Sequence, residues 1–510
     1  MSDRHYLLRV LGISAIPRFI GFGLKFVTFP LMMRNLGAAQ FGVVVYLSAI
    51  ITVLESFVDF GVSSAAGKEI AVARELNSLP LVTVVKKWAR LQAVVIVIGL
   101  LPLLGGTYLI ASAGSEIKFS FQVLTALVLG TWLTSWLSFV RASLTSMLAF
   151  RALGSLDATE SFIRSLGWLG VAYVAPTTLG FAVANLLTVV GSSVLGVSML
   201  WILIRRHPSA NAPDQPLNSV LRLPHMLRES FTFLWLRLIT RIFQAIPIMI
   251  MGRMFDSEIV GIVGAFARVA ELINFPFLVI GNALAVRAPG VLAKGAASAK
   301  ALWDTVSRFF AISLMLTISI FLGAKFVAAI LLPTSSGSTT FIAILSITVF
   351  TSAMSSVIAP MSDYVGGLRS RNILLTIFSF GQIPLIWFGA FFFGAIGAVV
   401  AYVTVLVLMN FGYLKIAISV FFPTDKYRLR SEFSYFITIT AVALVLTMLA
   451  HRAFGFDRFS APLANNVSLL DIALSWFIVM SSLLLYQPAK RFFITRVFFD
   501  FSDSAQAGTN

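Results

Sequence analysis

The chain has 510 residues, of which 58% are hydrophobic and only 12% charged; its mean hydropathy is +0.93 and its formal net charge +17. A soluble domain carries about 25% charged residues, so soluble globular, disordered and fibrous classes are excluded. There is no cysteine, which excludes a disulfide scaffold, a thiol nucleophile and a Cys metal site.

What remains is a polytopic membrane protein. Met1–Val10 is polar and runs into an apolar stretch without an A-x-A cleavage site, which predicts a cytoplasmic lead-in rather than a cleaved signal. Apolar windows of about 20 residues then predict fourteen spans. They lie near 11–33, 41–66, 91–111, 121–148, 162–178, 180–204, 230–252, 258–286, 309–332, 340–362, 373–393, 395–420, 433–450 and 467–486. The turns at Pro176–Gly180 and around Gly394 are tight, and a twelve-span count is the alternative. The segment Arg205–Glu229 contains Pro208, Pro213, Pro216 and Pro224 and reads as a linker. The expected organisation is an N-lobe of spans 1–6 (1–204), a cytoplasmic linker (205–228) and a C-lobe of spans 7–12 (229–420). A cytoplasmic loop (421–432), two extra spans (433–487) and a cytoplasmic tail (488–510) follow.

Placing the N-terminus in the cytoplasm puts 25 Lys/Arg on inside segments, counting Lys415 at the inner edge of span 12 with them. Five fall outside: Arg34, Lys118, Arg253, Arg452 and Arg458. That bias follows the positive-inside rule, so most of the +17 reads as topology and not as a nucleic-acid surface. No outer loop exceeds about 20 residues, too short for an extramembrane catalytic domain by the usual size of domains. No G-x-x-x-x-G-K-[ST] loop is present, and the four scattered histidines lack metal-ligand spacing. No enzymatic activity, metal or cofactor is therefore expected.

The two lobes superimpose at a shift of 219 residues. Arg34-Asn-Leu-Gly-Ala-Ala-Gln-Phe-Gly42 then faces Arg253-Met-Phe-Asp-Ser-Glu-Ile-Val-Gly261, and Arg18 falls on Arg237. Six spans per copy preserve orientation, which predicts a parallel repeat about an axis along the membrane normal. The expected fold class is an all-α polytopic membrane protein with two six-helix lobes and a C-terminal helix pair.

Charges inside a bilayer cost roughly 2.5–3.5 kcal/mol each on insertion scales and mark function. The in-span set is Arg18, Lys25, Glu55, Asp59, Arg141, Arg164, Arg237, Arg241, Arg268, Glu271 and Lys325. Eight of these eleven fall on the repeat-related spans 1, 2, 7 and 8. Distances along the chain from the turns near residues 37 and 256 put Arg18 level with Glu55 and Arg241 level with Glu271. Each hairpin is thus expected to hold one Arg–Glu pair. Arg237 and Arg241, Glu55 and Asp59, and Arg18 and Lys25 each share a helix face. A polar stripe on four helices implies a hydrated cleft. Its candidate cations Arg18, Lys25, Arg237, Arg241 and Arg268 outnumber Glu55, Asp59 and Glu271 five to three, so it should prefer an anion. Arg141 and Arg164 are expected to be interfacial anchors, and Lys325 to snorkel.

Span 1 closes and span 2 opens in Leu36-Gly37-Ala38-Ala39-Gln40-Phe41-Gly42. Span 2 ends in Val58-Asp59-Phe60-Gly61-Val62-Ser63-Ser64-Ala65, followed by Lys68. This hairpin resembles the opening of bacterial Wzx-type polysaccharide flippases, whose pattern is a Leu-Gly…(Phe/Tyr)-Gly turn and then Asp-hydrophobe-Gly with small residues. These belong to the multidrug/oligosaccharidyl-lipid/polysaccharide (MOP) superfamily, with the lipid II flippase MurJ and the MATE exporters. The resemblance implies alternating access between two lobes in the bacterial plasma membrane, both termini being cytoplasmic. The cargo it implies is an undecaprenyl-diphosphate-linked oligosaccharide, moved from the inner to the outer leaflet for exopolysaccharide, capsule or O-antigen synthesis. By position, Arg18, Lys25, Arg237, Arg241 and Arg268 would line a cationic cavity, with Arg18 and Arg237 on the diphosphate. Glu55, Asp59 and Glu271 would orient the arginines or couple transport to a counter-ion, H+ or Na+. Partners would be the lipid-linked glycan, membrane lipid, and polysaccharide polymerase and export proteins, with no nucleic acid.

Three alternatives stand beside this reading. MurJ-like proteins have two extra C-terminal helices, so fourteen spans leave a lipid II flippase open. A MATE-like cation-coupled drug exporter wants carboxylates with few basic residues in its cleft. A glycan polymerase or ligase wants a sizeable outer loop.

Overall fold

The computed structural model describes residues 3–76, 81–112, 117–147, 149–206, 223–293, 296–332, 338–364 and 368–421. Among these every regular element is a helix, as a chain in hydrocarbon requires, because each backbone polar group must find its partner within its own segment. Nine described helical segments are long and apolar enough to cross a membrane. Expected spans 13 and 14 lie outside the described residues.

The first eight expected spans correspond to α1 (Asp3–Leu36), α2 (Ala38–Asp59), α4 (Leu81–Ser112), α5 (Phe121–Ser146), α6 (Phe150–Tyr173), α7 (Thr178–Arg206), α8 (Leu223–Met254) and α9 (Ser257–Ala293). Gly37, at φ 81°, makes the one-residue turn between α1 and α2. The second span was expected to run through residue 66 and does not. It stops at Asp59, Phe60 turns left-handed at φ 50° and Gly61 sits at φ 73°, and a separate helix α3 (Val62–Leu76) follows. Span 9 is divided into α10 (Ala296–Leu322) and α11 (Ala324–Leu331), and span 10 into α12 (Ser338–Leu345) and α13 (Ile347–Tyr364). Spans 11 and 12 are the two arms of α14 (Leu368–Phe421), which breaks at Gly394 with φ 64° and ψ −152°. Its arms fold back on each other, with Leu374 against Gly412. Hydroxyls within the helices bond to carbonyls one turn back, as Thr107 to Leu103 and Thr188 to Ala184 do; this hides polar groups from lipid.

The chain forms two compact units. The first comprises Met1–Ala265 with Ser379–Ala395, and the second Phe266–Phe378 with Ile396–Asn510. In the first, Val62, Trp88, Phe139, Leu144 and Leu156 share one apolar core from α3 to α6. α1 lies along α6: Asn35 Nδ2 donates to the Ala172 carbonyl at 2.8 Å, Phe29 meets Trp168, and Gly21 abuts Ser161. α2 packs on α4, α5 and α8. This unit therefore includes α8 and the start of α9, which the repeat assigns to the second copy. In the second unit α10 packs on α13, and Gly281 of α9 lets the Ser356 backbone approach.

Candidate functional site: two intramembrane charge networks

Four helices of the first unit converge on the carboxylates of α2. Glu55 and Asp59 are one helical turn apart and are 2% and 0% exposed. Arg237 of α8 bridges them, donating from Nη2 to Glu55 Oε1 at 2.8 Å and from Nη1 to Asp59 Oδ2 at 2.5 Å. Ser63 Oγ, 2.5 Å away, and Gln92 Nε2, 3.3 Å away, donate to Asp59 Oδ1. Ser135 Oγ donates to Glu55 Oε1 at 3.0 Å, and Arg241 lies 4.0 Å from Glu55 Oε2. Two carboxylates and two arginines balance, and every carboxylate oxygen has a cation or a donor beside it. That is the condition under which charge can stay buried.

The helix break at Phe60–Gly61 serves this network. A methyl group on Gly61 would collide with the Ser230 carbonyl and the Leu234 nitrogen. Glycine therefore brings the α8 backbone against the end of α2, one turn from Arg237. A second close approach lies at the other end of α2. Gly42 touches the Ser257 and Gly261 backbone, and Gly261 touches the Ala38 backbone. Ala38 and Ser257, and Gly42 and Gly261, are each related by the 219-residue shift. The contact is thus reciprocal, as a local two-fold axis makes it.

The second network joins α1, α5, α6 and α7. Glu160, nearly buried, takes Arg164 Nη2 at 2.8 Å on Oε1 and Arg141 Nη2 on Oε2. Arg141 Nε also donates to Asp157 Oδ1 at 3.2 Å, and Arg164 Nη1 to Asn185 Oδ1 at 3.2 Å. Lys25 of α1 faces these groups; the charges it feels are Arg164, Glu160, Arg141 and Asp157. Among the described residues it is in no ion pair. Three cations against two carboxylates leave this network one positive charge over.

Compared with known proteins, residues 7–285 match the model of a family described as polysaccharide biosynthesis protein. The chain belongs to the polysaccharide biosynthesis protein family. No curated protein matches the sequence. Among solved structures, an inward-facing multidrug resistance MATE family transporter of the MOP superfamily is similar at TM-score 0.64 and 14% identity. The match covers 82% of this chain and 99% of that one. Lipid II flippase MurJ in an inward closed conformation is similar at TM-score 0.61 and 12% identity, over 92% and 98%. A MOP transporter from Pyrococcus furiosus, described as having a binding pocket of reverse polarity, follows at TM-score 0.53 and 17% identity, over 80% and 96%. The fold of this family member is therefore like that of the MATE transporter and MurJ.

The family member pairs its charges differently from the hairpin expectation. Glu55 takes Arg237 of α8, whereas Arg18 was expected; the Arg18 side chain lies outside the described residues. Glu271 takes Arg268, three residues back on the same helix, at 2.8 Å, whereas Arg241 was expected. That pair, in the second unit, is 55% and 65% exposed. Arg141 and Arg164 are not lone anchors but members of a network. Asp157 and Glu160 were missed because span 5 was expected to begin at 162, while α6 begins at Phe150. The neutral partners Ser63, Gln92, Ser135 and Asn185 carry no signal that a charge count detects.

Proposed function

We propose that this chain is a flippase that carries an undecaprenyl-diphosphate-linked oligosaccharide from the inner to the outer leaflet of the bacterial plasma membrane. It works by alternating access, with both termini cytoplasmic, in the synthesis of exopolysaccharide, capsule or O-antigen. The family supports a glycan cargo, and the bias of 25 to five Lys/Arg supports the orientation.

The observation that carries the reading is the surplus positive charge at Lys25. Arg141 and Arg164 flank it and are already held in place by Glu160, so the three form a preset cationic site. Arginine forks suit phosphate oxygens, and charge-assisted bonds are the strong ones. Arg237 is reassigned from ligand to structural cation, because Glu55 and Asp59 occupy its guanidinium. Glu271, exposed although paired with Arg268, is assigned the coupling H+ or Na+.

The test is complementation of a deletion strain. Lys25→Gln removes one charge-assisted contact, worth about 1.5–3 kcal/mol, and should slow glycan export roughly ten- to a hundredfold while the protein still inserts. Undecaprenyl-diphosphate-linked glycan should accumulate on the inner leaflet. Unchanged export would remove Lys25 from the site. Accumulation of lipid II instead would move the cargo to the peptidoglycan precursor.

A further inference from the structure

α2 and α3 run against α8 in one continuous antiparallel register. The Tyr46 ring fills the space over Gly252. Glu55 then meets Arg241, Asp59 meets Arg237, the rings of Phe60 and Phe231 lie 6.2 Å apart, and Lys68 Nζ donates to Glu229 Oε2 at 2.7 Å. From Tyr46 to Lys68 is 22 residues, and from Gly252 to Glu229 is 23. At 1.5 Å per residue this seam is about 33 Å long, the thickness of the hydrocarbon core.

The seam is also closed by a close backbone approach, and it encloses charge. Gly61 admits the α8 backbone at a position where any side chain would collide. Parting α2 from α8 there would strip Arg237 from two carboxylates that are almost wholly buried. Leaving such charge unpaired is the strongly destabilising event for a buried ion pair, and hydrocarbon offers no replacement donors. Glu55 and Asp59 cannot follow Arg237 either, since Ser135 of α5, Gln92 of α4 and Ser63 of α3 hold them to their own side.

We propose that the α2–α8 seam stays shut throughout the transport cycle and acts as the fixed edge about which the rest of the pathway opens. This rests on the flippase reading: a polyprenyl tail trailing in the bilayer then never passes between α2 and α8. The Glu55–Asp59–Arg237 network is a lock on that edge and not part of the cargo site.

The absence of cysteine gives a clean background for the test. Phe57 of α2 and Trp235 of α8 are exposed, Phe60 and Phe231 meet across the seam, and Lys68 and Glu229 close its end. The double variants Phe60→Cys/Phe231→Cys and Lys68→Cys/Glu229→Cys are bridged with a short, reducible bifunctional thiol reagent. Glycan export is followed before bridging, after it and after reduction. Export within about twofold of the unbridged variants is the expected result; a loss of tenfold or more, restored by reductant, overturns the proposal. In a second measurement, spin labels on Phe57→Cys/Trp235→Cys report distance in lipid nanodiscs with and without undecaprenyl diphosphate. One narrow distribution in both supports a shut seam; a second, longer population in either overturns it. This readout does not depend on transport. The flippase reading fails separately, if a strain lacking the chain exports its glycan normally.

Discussion

Replacing Arg237 by methionine keeps most of the side-chain volume and removes the charge. It leaves Glu55 and Asp59, whose side chains are 3% and 0% exposed, without the cation that bridges them. Deleting one partner of a buried pair costs about 3–5 kcal/mol. Arg241, 4.0 Å from Glu55, relieves one carboxylate in part, but Asp59 keeps only Ser63 and Gln92. At roughly 2–4 °C per kcal/mol for a cooperative unit of 150–250 residues, the apparent melting temperature in detergent should fall by about 6–20 °C. Adding Glu55→Gln and Asp59→Asn removes the orphaned charges while the amides retain acceptors for Ser135, Ser63 and Gln92. This triple variant should recover to within about 2 kcal/mol of the parent, since neutral replacement of a whole buried network is often tolerated. Lys68→Met is the control: its pair with Glu229 is 49% and 26% exposed, and such pairs contribute about 0–1 kcal/mol. The measurement is the loss of the monodisperse chromatographic peak on heating. A single variant that melts with the parent, or a triple variant that melts as low as the single, would refute the assignment of Arg237 as a lock.

Two glycines separate strain from collision. Gly394 has a positive φ but open space where a Cβ would go, whereas Gly61 has both a positive φ and the α8 backbone against it. Gly394→Ala should cost about 1–3 kcal/mol and Gly61→Ala distinctly more, read as the two shifts in melting temperature. Gly42→Val and Gly261→Val should each prevent recovery of folded protein, because the obstruction is backbone on both sides; normal yield of either variant would contradict the reciprocal contact. Arg268→Gln disturbs only an exposed pair, so melting should move by less than about 1 kcal/mol, and any loss of glycan export then reports on function.

The spans were legible because the bilayer fixes one length and one composition, and α2, α4, α5, α7 and α8 meet both. The break at Phe60–Gly61 was not, since neither residue interrupts hydropathy. Its cause is a tertiary approach by Ser230 and Leu234, about 170 residues away in sequence. The start of α6 was hidden for the opposite reason: Arg151, Asp157 and Glu160 lower the hydropathy of a segment that is helical throughout. Depth reckoned from the turns gave plausible levels but assumed that sequential helices are the ones that pair. α1 lies on α6 and α2 on α8, so Glu55 met Arg237 at a depth the sequence allowed, on a helix it did not indicate.

That error leaves the charge argument intact and moves its location. The expected cleft set had five cations and three carboxylates. Adding Arg141 and Arg164 with Asp157 and Glu160 gives seven and five, and the surplus is still two. Arg237 and Arg241 are offset by Glu55 and Asp59, and Arg268 by Glu271. Among the described side chains the surplus therefore falls on Lys25 of α1, where the expected set had spread it over both lobes. The diphosphate of the proposed cargo matches that surplus in sign. On the flippase reading proposed above, an anion site built on α1 and held by α5 and α6 would change its surroundings as the pathway opens without disturbing the α2–α8 edge. A carrier needs that separation, because the groups that release the cargo cannot also be the groups that hold the fold together.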